Sequence, residues 1–382
     1  INEYIYSHEN VELNALKKIK EKIYSNFDQK LYNDNSLLIT CLAAYKSLNL
    51  YNFPIKILDI ECISDLIKQQ ISDPKKEQQL KEELLSTKIE NFISLKVKNQ
   101  YESNPYPRWN KTALTNNPKI PDDFFKSLEL NFVNKSIKNW QNVEVLVAGC
   151  GTGQHAITTA TKYANSFITA IDLSLNSLSY AKRKANELGV RNIDFIQMDI
   201  LDLENYGKKF HVIESIGVLH HMENPYEGWM KLYNVLINNG LMMIGLYSKL
   251  ARNHIHRIRN DIADLDLKIN SENIKKFRDK IIDSSKNDYK LITQSTDFYS
   301  LSSLRDLIFH VQEHNFTITE IYDFLKKINL KFCGFENRQL LNYFKKTNNK
   351  VNDLYDLAIW NEFEIKYPRI FAGMYQFWCQ KR

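Results

Sequence analysis

The chain has 382 residues, 43% of them hydrophobic, with 51 basic and 45 acidic side chains and a net charge of +6. That length can bury one large core or two, and no apolar run reaches the roughly 18 residues a membrane span needs. The mild positive charge reads as solvated lysine-rich helix faces. No stripe of basic residues interleaved with aromatics is present, so a nucleic-acid surface is not expected. Five widely spaced cysteines without a C-x-x-C fit reduced thiols and a cytoplasmic setting. The abundance of Asn, Lys and Ile points to an AT-rich genome. The chain begins at Ile1 rather than Met, so a fragment or a processed form is expected.

Residues 1–98 carry helical patterns and little strand signal. Leu16, Ile19 and Ile23 follow helix spacing, and Leu38 to Leu48 is an apolar helix candidate. Asp73-Pro74 reads as an N-cap and first-turn proline opening the charged segment 75–85. No 34-residue repeat recurs, so a helical cap domain is expected rather than a repeat array. Segment 99–139 is a junction. Its centre, Tyr101-Glu102-Ser103-Asn104-Pro105-Tyr106-Pro107-Arg108-Trp109, breaks the helix with two prolines and sets three aromatics beside Arg108.

The core, 140–248, begins with Val143–Val147, an aliphatic run suited to a buried parallel strand. It stops at Gly149-Cys150-Gly151-Thr152-Gly153, and Gln154-His155 continues as a helix. A glycine turn between strand and helix is a nucleotide-binding turn of the Rossmann kind. The pattern here is G-x-G-x-G, and Gln154 stands where dinucleotide dehydrogenases place their last glycine, which favours a cofactor without a pyrophosphate. Phe167–Asp172 is a second strand ending in a carboxylate nineteen positions after Gly153, placed to accept both ribose hydroxyls of an adenosine. Leu175 to Leu188 is an amphipathic helix stopped by Gly189. Asn192–Ile200 is a third strand carrying Asp199, Phe210–Ile216 a fourth with the loop Gly217-Val218-Leu219-His220-His221-Met222, and Leu241–Tyr247 a fifth. Cys150 sits where the turn wants a small residue, so a nucleophilic role is not expected of it.

A helical insertion, 249–327, follows, with a solvated Asn/Lys/Asp-rich centre at 268–290. It contains His310-x-x-Glu313-His314, the inverted zincin pattern, with two imidazoles on one helix face. A structural pair or a pocket role competes with zinc there, and no metal is expected. Leu330–Glu336 and Gly373–Cys379, in segment 328–382, read as the last two strands.

These motifs, in this order, resemble class I S-adenosylmethionine-dependent methyltransferases. The resemblance implies an α/β fold: a doubly wound, Rossmann-like sheet of seven strands with an antiparallel last strand, plus the helical domain and insertion. It implies a donor held by Ala148, Gly149, Cys150, Gly151, Gly153 and Gln154 at the turn, Asp172 and Leu173 at the ribose, Asp199 and Ile200 at the adenine, and Ser215 and Gly217 beyond. Members often carry Asp or Glu two positions before the first glycine, where this chain has Val147. The junction is then either a linker packed on the core or a lid, with Tyr101 and Arg108 on the donor and Tyr106 over the reacting centre. His220 and His310 are the candidate bases, and His221, Glu313 and His314 the candidate acceptor contacts. Several segments narrow the resemblance to bacterial methyltransferases often found downstream of tetratricopeptide repeats: Ile1–Tyr4, Tyr101–Trp109, Ala148–Ala156, Phe298–Leu301, Leu307–Thr317 and Gly373–Trp378. The expected reaction is in-line methyl transfer to an O, N or S atom of a small molecule. A peptide acceptor, a donor-binding scaffold without catalysis, and a nicotinamide dehydrogenase are the rivals.

Overall fold

The computed structural model describes residues 3–28, 35–133, 137, 140–347 and 351–382. Ile1 and Asn2, which carry part of the narrower resemblance, lie outside the described residues. The chain divides into two compact units, Ile1–Glu83 with Asp261–Phe309, and Leu84–Asn260 with His310–Arg382.

The first unit is helical. Ile23 and Phe27 of helix Asn10–Asp28 meet Ile39, Leu42 and Ala43 of helix Ser36–Tyr45, together with Leu48, Ile57, Ile60, Ile67 and Ile71. Helix Ser271–Ile282 belongs here because its neighbours reach the chain start: Ser7 donates to Asp279, and Ser302 N–H donates to Glu3. Arg278 lies 5.1 Å from the Tyr6 ring centre and 5.0 Å from that of Phe298. Asp73 is not an N-cap. Its φ of −61° and ψ of −47° are helical, and a π-turn over Lys68–Ser72 joins Ser64–Ile67 to Asp73–Glu83. Pro74 has no N–H and would crowd the carbonyl one turn back in a tight helix; the wider turn relieves both problems. No helix among the described residues is long and apolar enough to cross a membrane.

The second unit is built on one sheet. Its strands are β1 (Leu85–Ser86), β2 (Val143–Ala148), β3 (Ser166–Asp172), β4 (Ile193–Gln197), β5 (Phe210–Ile216), β6 (Leu236–Leu246), β7 (Leu330–Phe335) and β8 (Tyr375–Lys381). Their order is β1-β4-β3-β2-β5-β6-β8-β7, and β8 runs antiparallel to both its neighbours. Seven of the eight match the expected strands. The eighth, β1, is a two-residue edge pair against β4, too short to leave a periodic signal. Aliphatic residues of β2, β3 and β5 fill both faces, as a doubly covered parallel sheet requires. The order reverses between β3 and β5 around β2, so a crevice opens at the carboxyl ends of these strands, where ligands of such sheets bind.

Candidate functional site

Parallel strands bring their carboxyl ends to one edge: Ala148 of β2, Asp172 of β3, Gln197 of β4, Ile216 of β5 and Leu246 of β6. The glycine turn lies there. Gly149 and Cys150 donate their N–H groups to the Ile171 carbonyl at 2.8 and 2.9 Å, and Gly153 closes the turn onto Cys150. At Gly151, with φ +53°, a Cβ would stand 2.8 Å from the Tyr106 carbonyl oxygen; at Gly153, with φ +82°, it would meet the Ala181 Cβ at 2.5 Å. Both positions are left-handed and crowded, so glycine is required by the protein's own backbone and packing before any ligand enters.

The proline–aromatic junction is part of this turn's surroundings. The Trp109 indole donates to the Thr152 carbonyl at 3.1 Å, and the Thr152 hydroxyl donates to the Pro107 carbonyl. Tyr106 is half-buried and Arg108 exposed. Glu102 takes the Leu175 N–H at 2.6 Å at the start of helix Leu175–Glu187.

Asp172 accepts one backbone N–H on each oxygen, from Gly151 at 2.8 Å and from Ser174 at 2.9 Å. Burial raises its carboxyl above the usual range, and those two bonds offset part of the shift. Each oxygen keeps a second lone pair, which is what two hydroxyl donors would need. Leu173 lends its carbonyl to Gln197 at 2.8 Å. Asp199 caps the turn Ile200–Tyr206 through the Leu201 N–H. Burial pushes the Cys150 thiol up, as does the nearby Asp172 charge.

Beyond β5, Gly217 takes φ +77° and turns the chain into Leu219–His221. His220 and His221 are buried, as is His310. They form a column: the Arg252 guanidinium 3.6 Å from the Tyr247 ring centre, Tyr247 stacked on His220 at 3.9 Å, His220 edge-on to His221 at 4.3 Å, and His221 stacked on His310 at 3.6 Å. Tyr101 Oη lies 3.1 Å from His310 Nε2. Neither ring nitrogen of His220 has a hydrogen-bond partner among the described residues, and neither has the buried Ser215 hydroxyl. Burial holds His220 well below its ordinary pKa, and lowers His221 to about 4. Both rings are neutral at pH 7.

His310, Glu313 and His314 do not share a helix face. Helix Leu301–Phe309 ends before them, and 310–315 is irregular, with a bend at Val311. The segment is drawn beside β6: Phe316 N–H donates to Tyr247, Lys249 N–H to Phe316, and His314 N–H to His220 at 2.7 Å. The Glu313 carboxylate receives both Nε and Nη2 of Arg252, at 3.1 and 2.9 Å, which removes it from any zincin-like role.

Sequence reasoning passed over Glu214. It is fully buried in β5 and takes Thr159 Oγ1 at 2.6 Å, Tyr163 Oη and Lys162 Nζ at 3.1 Å each, with His155 Nε2 at 2.6 Å. Burial alone would raise its carboxyl, but Lys162 and His155 beside it hold it below the usual carboxylate range. Glu214 also pairs in register with Val147. A lone acid inside an aliphatic strand was the available signal. Tyr247, Arg252 and Gln312 were missed as well, since only long-range packing brings them together.

Residues 140–327 match the family model of a methyltransferase domain. The match covers just under half of the chain and makes this part similar to a methyltransferase domain. Among curated proteins, an uncharacterized protein of Synechococcus sp. is 29% identical over 206 residues, 51% of this chain and 48% of that protein. Probable (S)-tetrahydroprotoberberine N-methyltransferase 2 of Papaver bracteatum is 32% identical over 34% of this chain and 35% of its own length. Malonyl-[acyl-carrier protein] O-methyltransferase 1 of Ilyobacter polytropus is 26% identical over 44% and 59%. The chain thus spans between about a quarter and three-fifths of the curated relatives it matches. The solved structure of PKMT2 from Rickettsia typhi shares the fold with a TM-score of 0.50 at 17% identity, covering 72% of this chain and 55% of that one.

Proposed function

We propose that the protein transfers a methyl group from S-adenosylmethionine to a nucleophilic O, N or S atom of a small molecule. The donor supplies an electrophilic methyl on a sulfonium; the chain's part is to hold, align and dry the reacting atoms. Ala148, Gly149, Cys150, Gly151, Gly153 and Gln154 are assigned to the methionine end, Asp172 and Leu173 to the ribose, Asp199 and Ile200 to the adenine, and Ser215, Gly217, Tyr101 and Arg108 to the sulfonium side. Tyr106, His220 and His310 are placed around the transferred methyl, and His221, Glu313 and His314 on the acceptor side.

The observation that carries this reading is the orphaned His220 ring, buried beside Tyr247 just past the carboxyl end of β5. A buried imidazole without partners costs stability unless a ligand supplies them. Neutral imidazoles of low basicity are mismatched to a phenol or alcohol. They suit an acceptor that attacks without prior deprotonation, such as a neutral amine or a carboxylate. By their names, two of the relatives are an N-methyltransferase and a malonyl-[acyl-carrier protein] O-methyltransferase. The cytoplasmic setting and the kinship with repeat-linked bacterial methyltransferases are part of the same proposal, and the free thiols of Cys150, Cys333 and Cys379 support the first.

Calorimetry with S-adenosylmethionine, followed by a labelled-methyl screen over amines, carboxylic acids and peptides, tests the proposal. Asp172→Ala should weaken donor binding at least tenfold, a loss of about 1.4 kcal/mol or more. No donor binding by the intact protein would refute the reading. Donor binding with labelled peptides and no labelled small molecule would move the acceptor to proteins.

A further inference from the structure

The imidazoles of His221 and His310 lie parallel, 3.6 Å apart at 19°, and both address the same peptide residue. His221 Nδ1 is 2.7 Å from the Gln312 carbonyl oxygen. A carbonyl only accepts, so this nitrogen carries a proton. His310 Nδ1 is 3.1 Å from the Gln312 amide nitrogen, which only donates, so this nitrogen is bare. In the neutral ring the His310 proton is then on Nε2, which faces Tyr101 Oη at 3.1 Å.

We infer that the main chain of Gln312 holds the two stacked histidines in opposite tautomers, making His221 Nε2 the basic nitrogen of the pair and His310 a fixed hydrogen-bond donor to Tyr101. Gln312 acts here as a positioning residue through backbone atoms alone. The segment that presents it is tied down on both sides. Arg259 Nη2 donates to the His310 carbonyl at 2.7 Å, the Arg252–Glu313 pair fixes the next residue, and His314 N–H is bonded to His220. The Gln312 side chain adds a contact of 2.9 Å to His314 Nε2.

The chemical use of this arrangement rests on the proposed methyl transfer; its geometry does not. Where the acceptor carries a proton, the acceptor–carbon bond forms as the sulfur–carbon bond breaks toward sulfur, and the displaced proton passes to His221 Nε2. The imidazolium so formed already has its Nδ1–H held by the Gln312 carbonyl, so no reorientation is needed. With its proton already on Nε2, His310 cannot take that proton without breaking its bond to the Gln312 amide. Because His310 donates to Tyr101, the tyrosine hydroxyl directs its own proton elsewhere and serves as a donor.

Ring-nitrogen NMR on the full chain labelled at its nine histidines tests the inference. At pH 7 one ring should show a bare Nε2 that vanishes in His221→Gln, and one a bare Nδ1 that vanishes in His310→Gln. In Tyr101→Phe the His310 ring should keep its tautomer, since the Gln312 amide sets it. A protonated Nε2 on His221, or a His310 ring that changes tautomer in Tyr101→Phe, would overturn it. These spectra need neither donor nor acceptor, so failure of the methyl-transfer reading in calorimetry would be seen separately.

Discussion

Two of the buried polar groups in the second unit, Glu214 and His220, are held on opposite terms. Glu214 on β5 has four partners from one helix and its C-cap: His155, Thr159 and Lys162 of Gln154–Lys162, with Tyr163 just after it, close on both carboxylate oxygens. His220, only six residues further on, has none on either nitrogen. A fully satisfied buried charge is a fastening, here one that docks the helix following the glycine turn. An unsatisfied buried ring at the carboxyl edge of the sheet is a place kept for something else. The distinction separates a residue that holds the turn in place from one positioned to meet what the turn holds.

The largest effect should follow from cutting the fastening. Glu214→Ala leaves Lys162, with 16% of its side chain exposed, beside an empty carboxylate site. Denaturant unfolding should show a loss of about 3–5 kcal/mol, the usual cost of breaking one side of a buried pair. The pH dependence separates the clusters. The Glu214 pKa is depressed by folding, so its contribution is full above the unfolded value of about 4.3 and is lost as pH falls below it. The His220 and His221 pKa values are also depressed, but for a base this means the unfolded chain takes up protons first. Their share of stability is therefore lost as pH falls below about 6.5, that of His221 by about 4. Glu214→Gln should flatten only the acid limb, and His220→Gln only part of the upper one.

A second, slightly smaller effect would sharpen the comparison. Val147 occupies the position where the resembling enzymes often carry an acid, and it pairs in register with Glu214 on the next strand. Val147→Glu should not restore a family feature. It would bury a second carboxylate against the first, at a cost of several kcal/mol by like-charge repulsion. Val147→Glu combined with Glu214→Val should recover part of that loss. A single Val147→Glu variant as stable as the parent would show that the cluster has room for another charge and is no closed fastening.

His220→Ala should behave in the opposite way. The ring has no hydrogen bonds to lose, so stability should change by an ordinary amount, about 0.5–3 kcal/mol. Turnover should fall by about tenfold or more, the range expected when a positioned acid–base or polar group is removed. A large loss of stability with full turnover would make His220 another fastening.

The sheet was legible because its cues are local. The aliphatic runs of β2, β3, β5 and β6, the glycine turn and the acids at Asp172 and Asp199 each leave a pattern within a dozen residues. What the sequence hid depends on distant partners. Whether His310 to His314 form a helix was decided by the bonds of Phe316 to Tyr247 and of His314 to His220, which outweigh a 3.6-residue spacing. Glu214 looked like a solitary acid until helix and strand met. The π-turn before Pro74 had no cue except the proline itself.

The smallest effect belongs to Cys150, and it tests whether position in the turn implies chemistry. Its sulfur lies inside the glycine turn, its one recorded hydrogen bond a long contact of 3.7 Å to the Gly151 carbonyl. Burial and the Asp172 charge both disfavour the thiolate, which is the reactive form. Cys150→Ala should therefore change donor affinity by less than about threefold, well short of the tenfold expected of Asp172→Ala. In the folded protein, exposed Cys62 should react with iodoacetamide while Cys150 stays unmodified until denaturant is added. Rapid alkylation of Cys150 under native conditions would mean that the turn opens to solvent. The close packing of Tyr106 and Trp109 against it would then fail as a description of the resting site.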